Sequence, residues 1–197
     1  MRKIVLLAAF AGAFALSGCN DRKTAEAPPP QEMAASAIGR YCGMNVMEHP
    51  GPKGQIILAS QKEPVWFSSA RDAISFTMLP EEPKDVRAFY VSDMSKAPSW
   101  EEPGATNWVD AKQASFVIGS RMKGGMGAPE AVPFSDRSAA EKFAAENGGR
   151  VVAFLEIPQD YVLGTAEATS SVDGEHGAEA EQHDHAPPSG HRPGQSH

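Results

Sequence analysis

The chain reads as an α+β protein made of two ββαβ units packed together, with a disordered N-terminal linker and a disordered C-terminal tail. Three observations predict this. A segment around Phe67 nearly recurs around Phe134, apolar residues in each copy fall at helical spacing, and both flanks are poor in bulky apolar residues.

The first residues predict export. Met1-Arg2-Lys3 is basic, and Ile4 through Leu16 is an apolar run of about 13 residues, short of the roughly 20 a bilayer-crossing helix needs. Leu16-Ser17-Gly18-Cys19 is a bacterial lipobox, so residues 1–18 are a signal peptide and the Cys19 sulfur takes the lipid. Asn20 follows, rather than the Asp associated with inner-membrane retention, which favours the outer membrane over the inner for a periplasmic protein. Residues 19–37, with Pro28-Pro29-Pro30, read as a flexible lipid-anchored linker.

Residues 38–163 form the body, a size typical of one domain. Its first unit covers about 41–94 and its second about 106–160. Gln55-Ile56-Ile57-Leu58 and Val65-Trp66-Phe67 predict two strands. Ser68 or Ser69 caps a helix whose apolar face is Ala70, Ala73, Ile74, Thr77 and Met78, and Pro80 stops it. Val86-Arg87-Ala88-Phe89-Tyr90-Val91 is the third strand. The second unit repeats the order with Ala114–Ile118, Val132-Pro133-Phe134, a helix capped by Ser135 or Asp136 and ended by Gly148-Gly149, and a strand over Val151–Leu155 aligned on Val86. A unit of about 45 residues buries too little surface to stand alone, so the copies share a core and meet at a seam, where binding sites form.

Charge excludes one function class. The formal net charge is −7, and loss of Arg2 and Lys3 with the leader makes it more negative, which argues against nucleic-acid binding.

Cys42 carries the chemistry. With Cys19 assigned to lipid it has no partner for a disulfide, although the compartment is oxidising. It stands in Tyr41-Cys42-Gly43-Met44, with Met47 and His49 close behind. Met126 lies in Gly124-Gly125-Met126-Gly127, whose glycines let the backbone approach a ligand. If the halves meet with these segments opposed, Cys42, Met44 and Met126 converge. Thiolate and thioether favour Cu(I), whereas zinc hardly uses methionine. Met78 reads as core, while Met47 and Met122 stay open between packing and ligation. His49, before Pro50-Gly51-Pro52, stays open between a ligand, a donor behind the ligands and a turn residue.

The run from Cys42-Gly43-Met44 through His49 to Gly51-Pro52-Lys53-Gly54-Gln55-Ile56, with Phe67–Ala73, Phe89–Met94 and Gly124–Gly127, closely resembles the NosL family. The resemblance implies a periplasmic, membrane-tethered Cu(I) chaperone that is not an enzyme. It implies delivery of copper for the copper-sulfide centre of nitrous oxide reductase, in concert with an ABC-type membrane complex. Cys42 and Met44 match the family's Cys-Gly-Met motif and Met126 its glycine-flanked methionine, and these are the implied Cu(I) ligands, with His49 and Met122 as further candidates.

Two other classes remain open. Cys42 as a nucleophile would make the chain a thiol-dependent enzyme related to organomercurial lyase, though that chemistry resembles a site with more than one cysteine. A metal-free structural adaptor is the third. Residues 164–197 read as a disordered tail holding His176, His183, His185, His191 and His197, where His183-Asp184-His185 is either a weak divalent-metal site or merely solvated.

Overall fold

In the computed structural model, residues 26–164 are described; the lipobox, Cys19 and the histidine-bearing tail lie outside them. The Ile-rich run forms β1 (Gly54–Leu58), flanked antiparallel by β2 (Val65–Phe67) and β3 (Val86–Ser92), with β4 (Trp108–Asp110) beyond β3. A second antiparallel sheet places β5 (Ser115–Ile118) between β6 (Val132–Phe134) and β7 (Arg150–Ala153). Helix α1 (Ala70–Met78) follows β2, and α2 (Arg137–Asn147) follows β6. Strand, strand, helix, strand is therefore the order in both halves, with the first strand central in each sheet.

Local chemistry sets the helix ends. The Ser69 and Asp136 side chains accept from the Asp72 and Ser138 N–H groups, satisfying donors that open each helix, and Gly148 ends α2 at φ 74°.

One core joins the halves. Ile56, Phe67, Ile74, Phe76, Phe89 and Val91 meet Phe116, Ile118, Ala131 and Val152. The Phe154 ring lies 5.7 Å from Phe89 and 6.2 Å from Phe116, tying the sheets together. Residues of β5 alternate as the pleat requires: Phe116 and Ile118 face this core, while Val117 lies under α2 with Val132, Phe134 and Ala140.

Two buried carboxylates also cross between the halves. Asp93, just after β3, accepts from the Ser135 N–H (2.9 Å) and hydroxyl (2.6 Å) ahead of α2. Glu130, just before β6, accepts from the Arg71 N–H (2.8 Å) in the first turn of α1. Both are fully buried.

The structure corrects four expectations. The linker expected through residue 37 is docked over its described part. Met33 and Ala37 are buried with Val46 beside Trp66 and Trp108, the Gln31 N–H donates to the Gln55 side chain, and Tyr90 donates to Pro28 O. Gln55 is a buried amide, so the extended backbone near Gln31 supplies partners that an apolar neighbour would not. The final strand stops at Ala153; Phe154–Glu156 is a 3₁₀ turn in which Leu155 is 90% exposed. Strand register pairs Ile56 with Phe89 and the corresponding Val117 with Val151, so Val151 matches Phe89 and not Val86. Finally, β4 and the short α3 (Gln159–Leu163) were not expected.

Candidate metal centre

The Cys42 turn is pinned to the edge of the first sheet. Gly39 bridges Trp66 at the end of the sheet, Ile38 bridges Asn45, and the Gly43 N–H donates to Gly39 O at 2.9 Å. Cys42 is half-buried at the tip. Ser68 Oγ donates to its Sγ at 3.5 Å, and the thiol faces Met44 O at 3.9 Å. A Cβ on Gly39 would lie 2.6 Å from Sγ, so the absent side chain is what makes room for the sulfur. Tyr41 packs edge-on against Phe67 and donates to Glu82, and burial followed by the Glu82 carboxylate pushes its phenol up to about 12.

Behind this turn lies Lys53, 1% exposed. Its Nζ donates to His49 O, to Pro50 O at 3.2 Å and to Ser68 O at 3.5 Å. Burial pulls its pKa down to about 8, opposed by the negative charges of Glu130 and of Cys42 when ionised. Burial pushes Glu130 up to about 7, opposed by hydrogen bonds from the Arg71 and Ala131 N–H groups to Oε1, while its Oε2 is buried without a hydrogen-bond partner among the described residues.

The second half brings its own loop to the same place. Lys123 bridges Pro129, and Gly124 and Gly127 close a turn with Met126 near its tip. Gly125 sits directly on His49: an added Cβ would overlap His49 Cβ and lie 3.0 Å from Cγ. Gly124 lies likewise against Glu130 Oε2, with Ser69 Oγ 3.5 Å from where its Cβ would be. His49 Nε2 is buried without a hydrogen-bond partner among the described residues.

Lys53 thus ties the His49-Pro50 backbone to that of Ser68 beside Cys42, and the Gly124–Gly127 turn packs on His49. Met44 and Met126 are 43% and 51% exposed, leaving both thioethers open to solvent. Met122 is half-buried on the arm of the loop, its carbonyl taken by the Glu130 N–H. Met47 lines a cavity of about 310 Å³ that Lys53 also borders, with Met33, Glu101 and Glu102. Met78 packs partly buried against the core, as expected.

Sequence reasoning gave no role to Lys53 or Glu130, and offered Ser68 only as a helix cap. Lys53 lay inside the resemblance-bearing run, but nothing in its neighbours announces a buried ammonium. Among the described residues, no group of three or more His, Cys, Asp and Glu side chains is placed to hold a metal ion. Exposed thioethers beside a half-buried thiol suit a soft cation that enters and leaves by ligand exchange.

The family model described as NosL matches residues 30–162. The chain is 43% identical over 171 residues to the copper-binding lipoprotein NosL of Achromobacter cycloclastes, covering 86% of each chain. It is 33% identical over 180 residues to the protein of the same description from Stutzerimonas stutzeri, covering 91% of this chain and 88% of that one. Its fold is similar to the crystal structure of the copper chaperone NosL from Shewanella denitrificans, with TM-score 0.62 and 36% identity over 67% of this chain and 98% of that chain.

Proposed function

This chain belongs to the NosL family, and from that premise we propose that it is a lipid-anchored periplasmic copper chaperone, carrying Cu(I) on Cys42, Met44 and Met126 for assembly of the copper-sulfide centre of nitrous oxide reductase. The relatives are named for copper binding and chaperoning, a non-enzymatic role, and the chain aligns with most of their length. Anchoring through Cys19, an outer-membrane destination, and handover to the reductase with its ABC-type complex are parts of the same proposal.

One observation carries the ligand assignment. The turn bearing Met126 rests on His49, whose carbonyl shares Lys53 with Ser68, and Ser68 donates to the Cys42 sulfur. This run of contacts between the two halves supports a site that draws donors from both.

Transfer follows from the donor set. Metal displaces the thiol proton, so Cys42 binds as thiolate. Exposed Met44 and Met126 complete a low-coordinate soft shell that an acceptor's donors can enter before the old bonds break. Ser68 and Gly39 hold the sulfur in place, and Lys53 fastens the His49-Pro50 turn behind it.

The test is a competition titration of the reduced chain with a Cu(I) chelator, joined to X-ray absorption on the Cu(I) form. Cys42→Ser is expected to lower affinity by orders of magnitude, and the absorption spectrum to show mainly sulfur neighbours. Unchanged affinity in Cys42→Ser would sink the assignment. A dominant nitrogen shell would move it towards His49.

A further inference from the structure

Resting on the assignment of the Cys42 turn as the metal centre, we propose that Gln55 is a positioning residue for that turn, acting through residues 28–37, which it locks across the first sheet.

The docked segment crosses the sheet along one row. Gln55 pairs in register with Tyr90 on β3 and with Trp66 on β2, so the three lie side by side across the strands. The chain meets each in turn. Tyr90 donates to Pro28 O at 2.7 Å, Gln55 holds Gln31, and the Arg40 N–H donates to Trp66 O at 2.8 Å. The middle hold is two-sided: the buried Gln55 amide accepts from the Gln31 N–H at 2.8 Å and donates to Gln31 O at 2.9 Å. A carboxamide offers donor and acceptor together, whereas a carboxylate lacks the donor and an aliphatic side chain lacks both.

What the segment supports next is the metal turn. Asn45 Nδ2 donates to Ala35 O at 2.6 Å, the Val46 N–H donates to Ala37 O at 2.9 Å, and Ile38 bridges Asn45. Asn45 also accepts from the Met47 N–H, which ties the segment to the 3₁₀ turn (Val46–Glu48) leading into His49. Met33, Ala37 and Val46 are buried together in a small cluster of their own, apart from the main core. One side of the Cys42 turn therefore rests on residues 35–38, and those residues stay in place only while the segment before them is held. A pull from the chain ahead of Pro28 meets Tyr90 and Gln55 before it reaches Cys42, so the same lock shields the cargo from its tether.

The experiment uses the full chain carrying Cys19→Ser, which leaves Cys42 as the single thiol. It is read by amide hydrogen exchange, by the alkylation rate of Cys42 without metal, and by Cu(I) affinity in chelator competition. In Gln55→Leu and Gln31→Pro the Met33 and Val46 amides are expected to lose protection while those of β5 keep theirs, and alkylation to quicken severalfold. Cu(I) affinity is expected to fall at least tenfold, because a metal site tolerates misplacement of only about 0.5 Å. Gln31→Ala, which keeps the N–H and carbonyl that Gln55 grips, matches the unsubstituted chain. Gln31 is exposed, so Gln31→Pro leaves the core untouched and decides the matter if Gln55→Leu does not fold. Met33 protection unchanged in the variants would show that Gln55 does not hold the segment. Protection lost with alkylation and affinity unchanged would reduce the segment to a covering, and protection lost equally in β5 would make Gln55 a general stabiliser; each of these results overturns the inference. Failure of the unsubstituted chain to bind Cu(I) would instead overturn the proposed function, while the alkylation rates would still judge the positioning.

Discussion

Gly39→Ala tests where the thiol sits without altering any donor. The added methyl would lie 2.6 Å from Cys42 Sγ, against about 3.5 Å for an ordinary contact, so the two must part by roughly 1 Å. The backbone has little room to give, since Gly39 bonds to Met44 and Gly43 and bridges Trp66. The sulfur, free to turn about one torsion, moves instead and loses the Ser68 hydrogen bond, worth about 1 kcal/mol. Because Gly39 has no positive φ, the substitution also restricts the unfolded chain, returning about 0.4–1 kcal/mol. Stability should therefore stay within about 1 kcal/mol, a shift of only a few degrees in Tm. Metal sites tolerate misplacement of only about 0.5 Å, so Cu(I) affinity should fall at least tenfold. Chelator competition reads the affinity and thermal unfolding the stability. Unchanged affinity in a folded variant would refute the placement of the sulfur, and a large loss of stability would mean that the backbone, not the thiol, absorbs the clash.

The other predictions reach different parts of the centre. Gly125→Ala should push the Met126 turn off His49, lowering both stability, by about 1–3 kcal/mol, and Cu(I) affinity; crystallography or titration showing neither would remove that contact from the argument. Glu130 has its folded pKa raised from 4.5 to about 7, so the folded state holds the proton more tightly. Its contribution to stability is greatest below about pH 4.5 and is lost as pH rises through about 7, roughly 3 kcal/mol in all. Glu130→Gln should flatten that slope in denaturant titrations, and an identical pH profile would contradict the burial assigned to the carboxyl. Removing residues 170–197 should leave Cu(I) stoichiometry at the body site unchanged by the same chelator titration, and a lost equivalent would place a ligand in the tail.

Much of the fold was legible because it rests on local signals. Ser69 and Asp136 cap the helices, Gly148 ends the second, and the Ile-rich and Val-rich runs form the central strands. What escaped depends on partners distant in the chain. Residues near Gln31 look like a stalk until the buried Gln55 amide requires backbone partners. Trp108–Asp110 is too short to show a strand period, and Leu155 reads as a strand residue although the chain has already turned. At the site, Cys42, Met44 and Met126 stood out through their neighbours in sequence. Lys53 and Glu130 did not, because a buried charge is recognisable only from the carbonyls and N–H groups that the fold brings to it.

The crossed carboxylates bear on how the protein can exist at all. Asp93 serves the start of a helix in the other half, and Glu130 does the same in return. Parting the halves would strand two buried acids and uncover two helix ends together, so each half is a folding requirement of the other. A form in which only one half is ordered is disfavoured, and with it any species offering Cys42 without the Met126 turn. Such a half-built site would bind metal loosely and release it to solution. On the proposed copper assignment, cooperativity of the fold would work as a quality check on the cargo site, letting the chain present either the whole donor set or none of it.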